Sequence, residues 1–174
     1  GAALAALAAA RAAGLTLVMD IDWRPESWGS AQEAEAITRQ VAGMCDIVVG
    51  NDDEFAVLAG SHDAGLDAAR ALVKDGATLV VYKMGEAGAV TLTSQGETRS
   101  GIWPVQAIKP VGAGDAFLAG LLAGLSAGRR VPDAVLRGAA TAAIVVAGVG
   151  CAPASPTASE LDHFIATHPG PKEA

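Results

Sequence analysis

Aromatic side chains, cysteine and positive charge are all scarce in this chain. Only 4% of its 174 residues are aromatic and two are cysteine, while 12 Lys and Arg stand against 19 Asp and Glu, a formal net charge of −7. Without a basic stripe to face a phosphate backbone, we do not expect nucleic acid as a main partner. Two isolated cysteines indicate neither a disulfide framework nor a CxxC site. Because no signal segment opens the chain either, we expect a cytoplasmic protein.

Long apolar runs are missing as well, although 51% of the residues are hydrophobic. No stretch reaches the roughly 18–20 uninterrupted apolar residues of a membrane-spanning helix, so we do not expect a membrane protein. The hydrophobic share comes mostly from small side chains, because the chain has 39 alanines, and 21 glycines lie beside them. This composition favours closely packed helices over a thick aromatic core. The length suits a single domain over residues 1–174.

What is present is an alternation of short apolar runs and helical segments. Strands are predicted over residues 15–21, 47–49 and 78–82, and helices over residues 1–14, 31–42 and 66–74. Two further runs, 90–93 and 98–103, flank the turn sequence Ser94-Gln95-Gly96 and predict an antiparallel hairpin. The last third is helical, over residues 114–127, 132–147 and 157–167, and the tail 169–174 is expected to fray. This order predicts an α/β fold with a mostly parallel sheet covered by helices.

Residues 109–122, KPVGAGDAFLAGLL, place one acidic residue among small ones at the start of a predicted helix. Gly112, Ala113 and Gly114 let the backbone turn sharply and aim consecutive amides from the positive end of that helix, which favours an anion. A carboxylate in the same turn would repel a bound phosphate, so a kinase fits better. The amides would stabilise a phosphoryl group in transfer, and Asp115 would accept the proton of the attacking hydroxyl. The alternative is a helix entry capped by an aspartate.

The segment GAGDAFLAGLLAGL resembles the second signature of the ribokinase-like (PfkB) family of carbohydrate kinases. Asn51-Asp52-Asp53-Glu54 is similar to the NxxE motif of that family, and the resemblance implies that Asn51 and Glu54 position Mg²⁺, mostly through water. It also implies a ribokinase-like three-layer α/β fold, with ATP as phosphate donor and a sugar as acceptor.

The resemblance extends to the nucleotide site. Residues 83–88, KMGEAG, look like the GxxG turn of the family beside the ATP phosphates, which implies nucleotide contacts by Lys83, Gly85 and Gly88. Gly150 lies in a turn that the resemblance places over the adenine. For Lys83 the alternative is a solvated charge at a strand end.

A subfamily is indicated by residues 20–28, DIDWRPESW, which resemble the DxDxRPxxW segment of kinases that phosphorylate 5-dehydro-2-deoxygluconate in myo-inositol catabolism. Lys109 stands where the family usually has an acidic residue before GAGD, and a lysine at this position also resembles these kinases. Kinases of 2-keto-3-deoxygluconate carry a related DxNxRxxxW, and they stay open as the alternative together with other sugar kinases of the family, such as those of fructose or ribose, although Asp22 favours the first group. Arg24, held by Asp20 or Asp22, could bind a substrate carboxylate or a polyphosphate. Its alternative is a structural ion pair.

The sugar-binding residues, lid strands and first Gly-rich signature of the family are not recognisable before residue 15. The Ala-rich opening also lacks a polar cap, so we expect the chain to be about the C-terminal half of such a kinase. A second class of function therefore stays open, a nucleotide-binding module without turnover, and so does homo-oligomer formation. His62, His163 and His168 have no metal-ligand spacing.

Overall fold

The protein, seen here in a computed structural model, has seven α-helices and five strands in the described residues, 2–171. In chain order the elements are α1 (Ala2–Ala12), β1 (Val18–Asp20), α2 (Ala31–Ala42), β2 (Ile47–Asn51), α3 (Asp52–Ala59), α4 (Gly65–Lys74), β3 (Leu79–Lys83), β4 (Ala89–Thr93), β5 (Gly96–Ser100), α5 (Ala113–Ser126), α6 (Val131–Ala147) and α7 (Ala158–Thr167). They fall into two compact units. Unit 1 runs to Gly85 and includes Val90–Glu97, and unit 2 contains Glu86–Ala89 and the residues from Thr98 onward. The single domain over 1–174 stays a prediction.

The five strands follow one another in the order β1-β2-β3-β4-β5. β1 pairs with β2 and β2 with β3, both in parallel, which confirms the predicted βαβα start of an α/β fold. β2 and β3 are buried over their first four residues, as expected of parallel strands covered on both faces. No helix in residues 2–171 has the length and apolarity that a membrane crossing requires.

Three strands differ from their predicted bounds by two residues or more at one end at least: β1, β5, and β2, which runs two residues past the predicted 47–49. β1 begins only at Val18, because the Leu15 amide donates to Ala10 O at the end of α1 and the Leu17 amide donates to Asp46 Oδ2 at 2.7 Å. The Leu17 carbonyl still accepts from the Ile47 amide at 3.1 Å, so residues 15–17 lead up to the ladder but lie outside the strand. β5 spans Gly96–Ser100 instead of 98–103, since only two residues separate it from β4 and the loop is therefore a tight one.

The core of unit 1 lies around Phe55, which is fully buried and packs its ring 5.2 Å from that of Tyr82. The buried residues Val48, Val80 and Val90 belong to the same cluster. Apolar side chains from three neighbouring strands thus pack against Phe55 in α3, and this packing holds α3 against the sheet.

In unit 2, α5 and α6 approach each other through glycine. A Cβ at Gly120 would meet Thr141 Oγ1 and would lie 3.0 Å from the Cα of Gly138, and a Cβ at Gly138 would lie 2.7 Å from Phe117 O. The predicted close helix packing by small residues is confirmed here. Trp103, beyond the end of β5, is buried and packs near Phe164 with ring centroids 6.4 Å apart.

Candidate functional site

The three parallel strands of unit 1 each end in a residue able to bind ions: Asp20 on β1, Asn51 on β2 and Lys83 on β3. In the register, Asp20 lies beside Val49, and Asn51 lies beside Lys83. Because side chains alternate between faces with a period of two, all three side chains lie on one face of the sheet. The carboxyl ends of parallel strands are where open α/β sheets bind their ligands.

Asn51 and Glu54 form a capping box at the start of α3. Asn51 Oδ1 accepts from the Glu54 amide at 2.8 Å, and Glu54 Oε2 accepts from the Asn51 amide at 2.6 Å. The NxxE spacing is thus also the spacing of a helix cap. Burial raises the pKa of the Glu54 carboxyl, against the lowering by hydrogen bonds from the Asn51 and Trp23 amides and by the nearby Lys83 charge. Glu54 is therefore a half-buried carboxyl that is held in one orientation.

Lys83 is not a freely solvated charge. Its side chain is 16% exposed, that of Asp20 is 19% exposed, and Lys83 Nζ lies 3.8 Å from Asp20 Oδ1. Asp20 is the residue that sequence reasoning misses as part of this cluster, since the sequence suggests it only as a partner for Arg24. A signal is available, because Asp20 ends an apolar strand, but nothing in the sequence shows which charge it faces.

Arg24 pairs with Asp22 and not with Asp20. Arg24 Nε donates to Asp22 Oδ1 at 3.0 Å, and both side chains are 63% exposed. Asp22 has a φ of 41°, the only positive value outside glycine in the described residues. Backbone in this region is strained by about 1–3 kcal/mol. The geometry fits the ion-pair alternative for Arg24, and its substrate role stays a prediction.

The predicted nucleotide turn contains two glycines in left-handed conformation, Gly85 with φ 55° and Gly88 with φ 82°. They differ in surroundings. A Cβ at Gly85 would touch nothing within 4 Å, whereas one at Gly88 would collide with the carbonyl oxygen of Ser100. Of these two glycines, therefore, only Gly88 lies so close to other backbone of unit 2 that no side chain fits.

In unit 2, α5 begins at Ala113 after Gly112, whose φ of 88° makes the sharp turn. No side chain caps this helix, and Asp115 lies exposed in its first turn. The alternative of an aspartate cap is therefore wrong. The first-turn amides of Gly114 and Asp115 have no acceptor within the helix. The Ala113 amide donates to Pro110 O at 3.3 Å, so this member of the predicted anion hole is already engaged.

Cys151 contacts the turn before α5. Its Sγ donates to Val111 O at 3.3 Å, and a Cβ at Gly112 would lie 3.0 Å from the Cys151 Cβ. Gly150, with φ 87°, precedes it. A cleft of about 450 Å³ opens beside these residues and is lined in part by Gly112, Asp115, Ser155 and Thr157. Asp115 therefore lies at the wall of this cleft.

Comparison with known proteins agrees with this geometry. Residues 1–158 match the family model described as "pfkB family carbohydrate kinase". The chain belongs to the pfkB family of carbohydrate kinases. This pfkB chain is 35% identical over 167 residues to a 5-dehydro-2-deoxygluconokinase of Geobacillus kaustophilus, covering 94% of this chain and 50% of the relative. A relative of the same name from Photobacterium profundum is 38% identical over 172 residues, which cover 95% of this chain and 52% of the relative.

Solved structures confirm the ribokinase-like fold of this pfkB chain. Aminoimidazole riboside kinase from Salmonella enterica, complexed with aminoimidazole riboside and an ATP analog, matches with a TM-score of 0.83 at 27% identity, over 95% of this chain and 57% of that one. Fructokinase from Vibrio cholerae O395, with fructose, ADP and calcium ion bound, matches with a TM-score of 0.83 at 29% identity, over 93% and 54%. The chain spans about half the length of the curated relatives it matches.

Proposed function

We propose that this chain serves the ATP-dependent phosphorylation of a keto-deoxy sugar acid, with 5-dehydro-2-deoxygluconate as the acceptor. The observation that carries the proposal is the exposed carboxylate of Asp115 in the first turn of α5, behind the left-handed Gly112 and beside a cleft. The identity of about 35% to relatives named 5-dehydro-2-deoxygluconokinase supports this acceptor. So does Asp22 in the segment DIDWRPESW.

In the proposed reaction Asp115 removes the proton of the acceptor hydroxyl. The hydroxyl oxygen then bonds to the γ-phosphorus of ATP, the bond from that phosphorus to the bridging oxygen breaks, and ADP leaves with the electron pair. The amides of Gly114 and Asp115 point from the positive end of α5 and would stabilise the charge of the transferring group. Lys83 and Arg24 supply the positive charge that a polyphosphate or a substrate carboxylate requires.

The donor set fits a magnesium ion that is contacted through water. The capping box and the Trp23 amide use part of the acceptor capacity of Glu54, but a carboxylate offers about four lone-pair sites. Mg²⁺ keeps several of its waters and is commonly held by one or two carboxylates together with substrate phosphates. In residues 2–171 no group of three His, Cys, Asp or Glu side chains could enclose a metal, which fits that arrangement. When bound, Mg²⁺ would neutralise charge on the phosphates, and Asn51 and Glu54 would orient its water.

Titration of the 174-residue chain with ATP and Mg²⁺ in a calorimeter, beside a phosphorylation assay, tests the proposal. The acceptors are 5-dehydro-2-deoxygluconate, 2-keto-3-deoxygluconate, fructose and ribose. We expect saturable ATP binding and the fastest phosphorylation of 5-dehydro-2-deoxygluconate. Faster phosphorylation of 2-keto-3-deoxygluconate would make this sugar acid the acceptor in place of 5-dehydro-2-deoxygluconate. Preference for a neutral sugar would overturn the role of Arg24.

A second candidate function, a nucleotide-binding module without turnover, is favoured by one observation: the chain spans about half the length of its curated relatives. Saturable binding of ATP with no phosphorylation of any of the four acceptors would support this candidate. Absence of ATP binding would contradict both candidates.

A further inference from the structure

The ion pair between Asp20 and Lys83 joins two strands that are not neighbours. β1 and β3 each pair with β2, so they lie about 10 Å apart at the usual strand spacing. Lys83 nevertheless places Nζ 3.8 Å from Asp20 Oδ1, on the face that also carries Asn51. The lysine side chain therefore reaches across the end of β2 and does not extend into solvent.

This reach restrains a side chain that is otherwise among the most mobile in proteins. A lysine ammonium is carried on a flexible four-carbon stem and has no preferred plane, unlike a guanidinium. Here both partners are less than one-fifth exposed, so water screens their attraction less than at an open surface. Glu54, whose carboxyl also interacts with both charges, adds a second acidic group near the ammonium.

We propose that Asp20 is a positioning residue, which holds the Lys83 ammonium at the carboxyl edge of the sheet for a phosphate group of the nucleotide. The part that concerns phosphate rests on the proposed function, whereas the positioning of Lys83 does not. Asp20 has an opposing effect on affinity, because its negative charge weakens the attraction of Lys83 for an anion. We therefore expect Asp20 to orient the Lys83 ammonium and, at the same time, to lower its affinity for phosphate.

The mobility of the ammonium tests the positioning directly. The chain has only four lysines, so their side-chain ammonium signals can be resolved in ¹H–¹⁵N spectra at low temperature, and loss of one signal in Lys83→Arg assigns it. In the unmodified chain we expect the Lys83 signal to show slower hydrogen exchange and more restricted motion than that of Lys74. Equal mobility of the two lysines would overturn the proposal without any variant at Asp20.

Variants then test the role of the carboxylate. In Asp20→Asn the Lys83 signal is expected to become as mobile as that of Lys74, and Asp20→Glu, which keeps the charge, is expected to restore most of the restraint. Asp67→Asn is the matched control, since it removes the same charge from an exposed pair with Arg70. An unchanged Lys83 signal in a folded Asp20→Asn chain would contradict the proposal. If Asp20→Asn does not fold, Asp20→Glu and the comparison with Lys74 decide.

A titration with inorganic tripolyphosphate and with MgATP separates positioning from general stability. We expect Asp20→Asn to bind tripolyphosphate about threefold or more tightly than the unmodified chain, because the competing charge is gone. The control Asp67→Asn, which removes the same charge from another pair, should leave the affinity for tripolyphosphate unchanged, and an equal change in both variants would overturn the phosphate role of the Asp20–Lys83 pair. If neither ligand shifts the Lys83 signal in any chain, the phosphate role fails together with the proposed function, and the mobility data still decide the positioning.

Discussion

Glu54 and Glu160 occupy the same local structure with opposite electrostatic consequences. Each closes a capping box, Glu54 with Asn51 on α3 and Glu160 with Thr157 on α7. Burial raises the pKa of Glu54, whereas hydrogen bonds from the Thr157 hydroxyl and amide lower the pKa of the exposed Glu160. The surroundings of a residue, and not its motif, thus decide which protonation state folding favours.

For Glu54→Gln we expect the free energy of unfolding, relative to that of the unmodified chain, to increase as the pH rises from about 4 to about 7.5, so that the variant gains relative stability. The amide keeps the capping geometry. A carboxyl whose folded pKa is raised stabilises the fold below its unfolded pKa and loses that contribution as the pH rises through the folded value. Urea unfolding at several pH values measures this difference.

Glu160→Gln is the matched control, because its sign is reversed. A carboxyl with a lowered folded pKa stabilises the fold above its unfolded pKa, and this contribution disappears as the pH falls through the folded value. Glu160→Gln should therefore cost stability near pH 7.5 and less near pH 4. The same pH trend in both variants would refute the electrostatic explanation.

Asp115→Asn should lower the rate of phosphorylation by roughly 10²–10⁴, the usual loss when a general base is removed. Shape is kept, so ATP affinity should stay within about threefold, as calorimetry can measure. Asp133→Asn provides the comparison, since Asp133 also lies in the first turn of a helix, α6, and pairs with the exposed Arg130. If Asp115→Asn and Asp133→Asn phosphorylate the acceptor equally well, Asp115 is not the base.

At the scale of elements, short turns between regular segments carry the strongest constraints. The turn after β3 has left-handed glycines at Gly85 and Gly88, but only Gly88 faces backbone, the carbonyl of Ser100. The GxxG motif of the sequence does not distinguish the two glycines. The requirement for Gly88 comes from a residue twelve positions later, which the hairpin β4–β5 brings back to it.

Gly88→Ala should therefore destabilise the protein much more than Gly85→Ala. Alanine in left-handed backbone costs about 1–2 kcal/mol at either position, and overpacking against the Ser100 carbonyl adds about 1–3 kcal/mol at Gly88 alone. Denaturant unfolding of both variants gives the two costs. Equal costs would mean that the backbone near Ser100 yields to the added methyl group.

At the scale of the whole molecule, charge is the dominant property. With a formal net charge of −7 and an isoelectric point near 4.8, copies of the chain repel one another electrostatically at neutral pH. The short strand β1 lies at one end of the strand order, and among the described residues it pairs with β2 on one side only. Such edges pair with other chains when repulsion is weak.

We expect self-association to increase as the pH falls from about 7.5 towards the isoelectric point near 4.8, with a smaller increase at neutral pH when salt screens the charge. Sedimentation velocity at several protein concentrations measures it. Far-ultraviolet circular dichroism at each pH is the control for unfolding. A sedimentation coefficient that stays constant over this range would contradict the charge argument.

Most of the order of helices and strands follows from the sequence, because apolar spacing and helix caps act over a few residues, but α3, between β2 and α4, is not among the predicted helices. The spacing predicts a helix over residues 31–42, and α2 has these bounds. The resemblance of GAGD and NxxE to the pfkB family is likewise a property of short segments, and the family match confirms it.

Tertiary structure decided which charges that are distant in sequence meet. Asp20 faces Lys83 because β1 and β3 lie on either side of β2, and Arg24 is left to Asp22. Cys151 contacts Gly112 because two turns 39 positions apart in sequence converge in unit 2. Local sequence patterns fix the backbone of each segment, but partners distant along the chain are set by strand order and packing, which no single segment encodes.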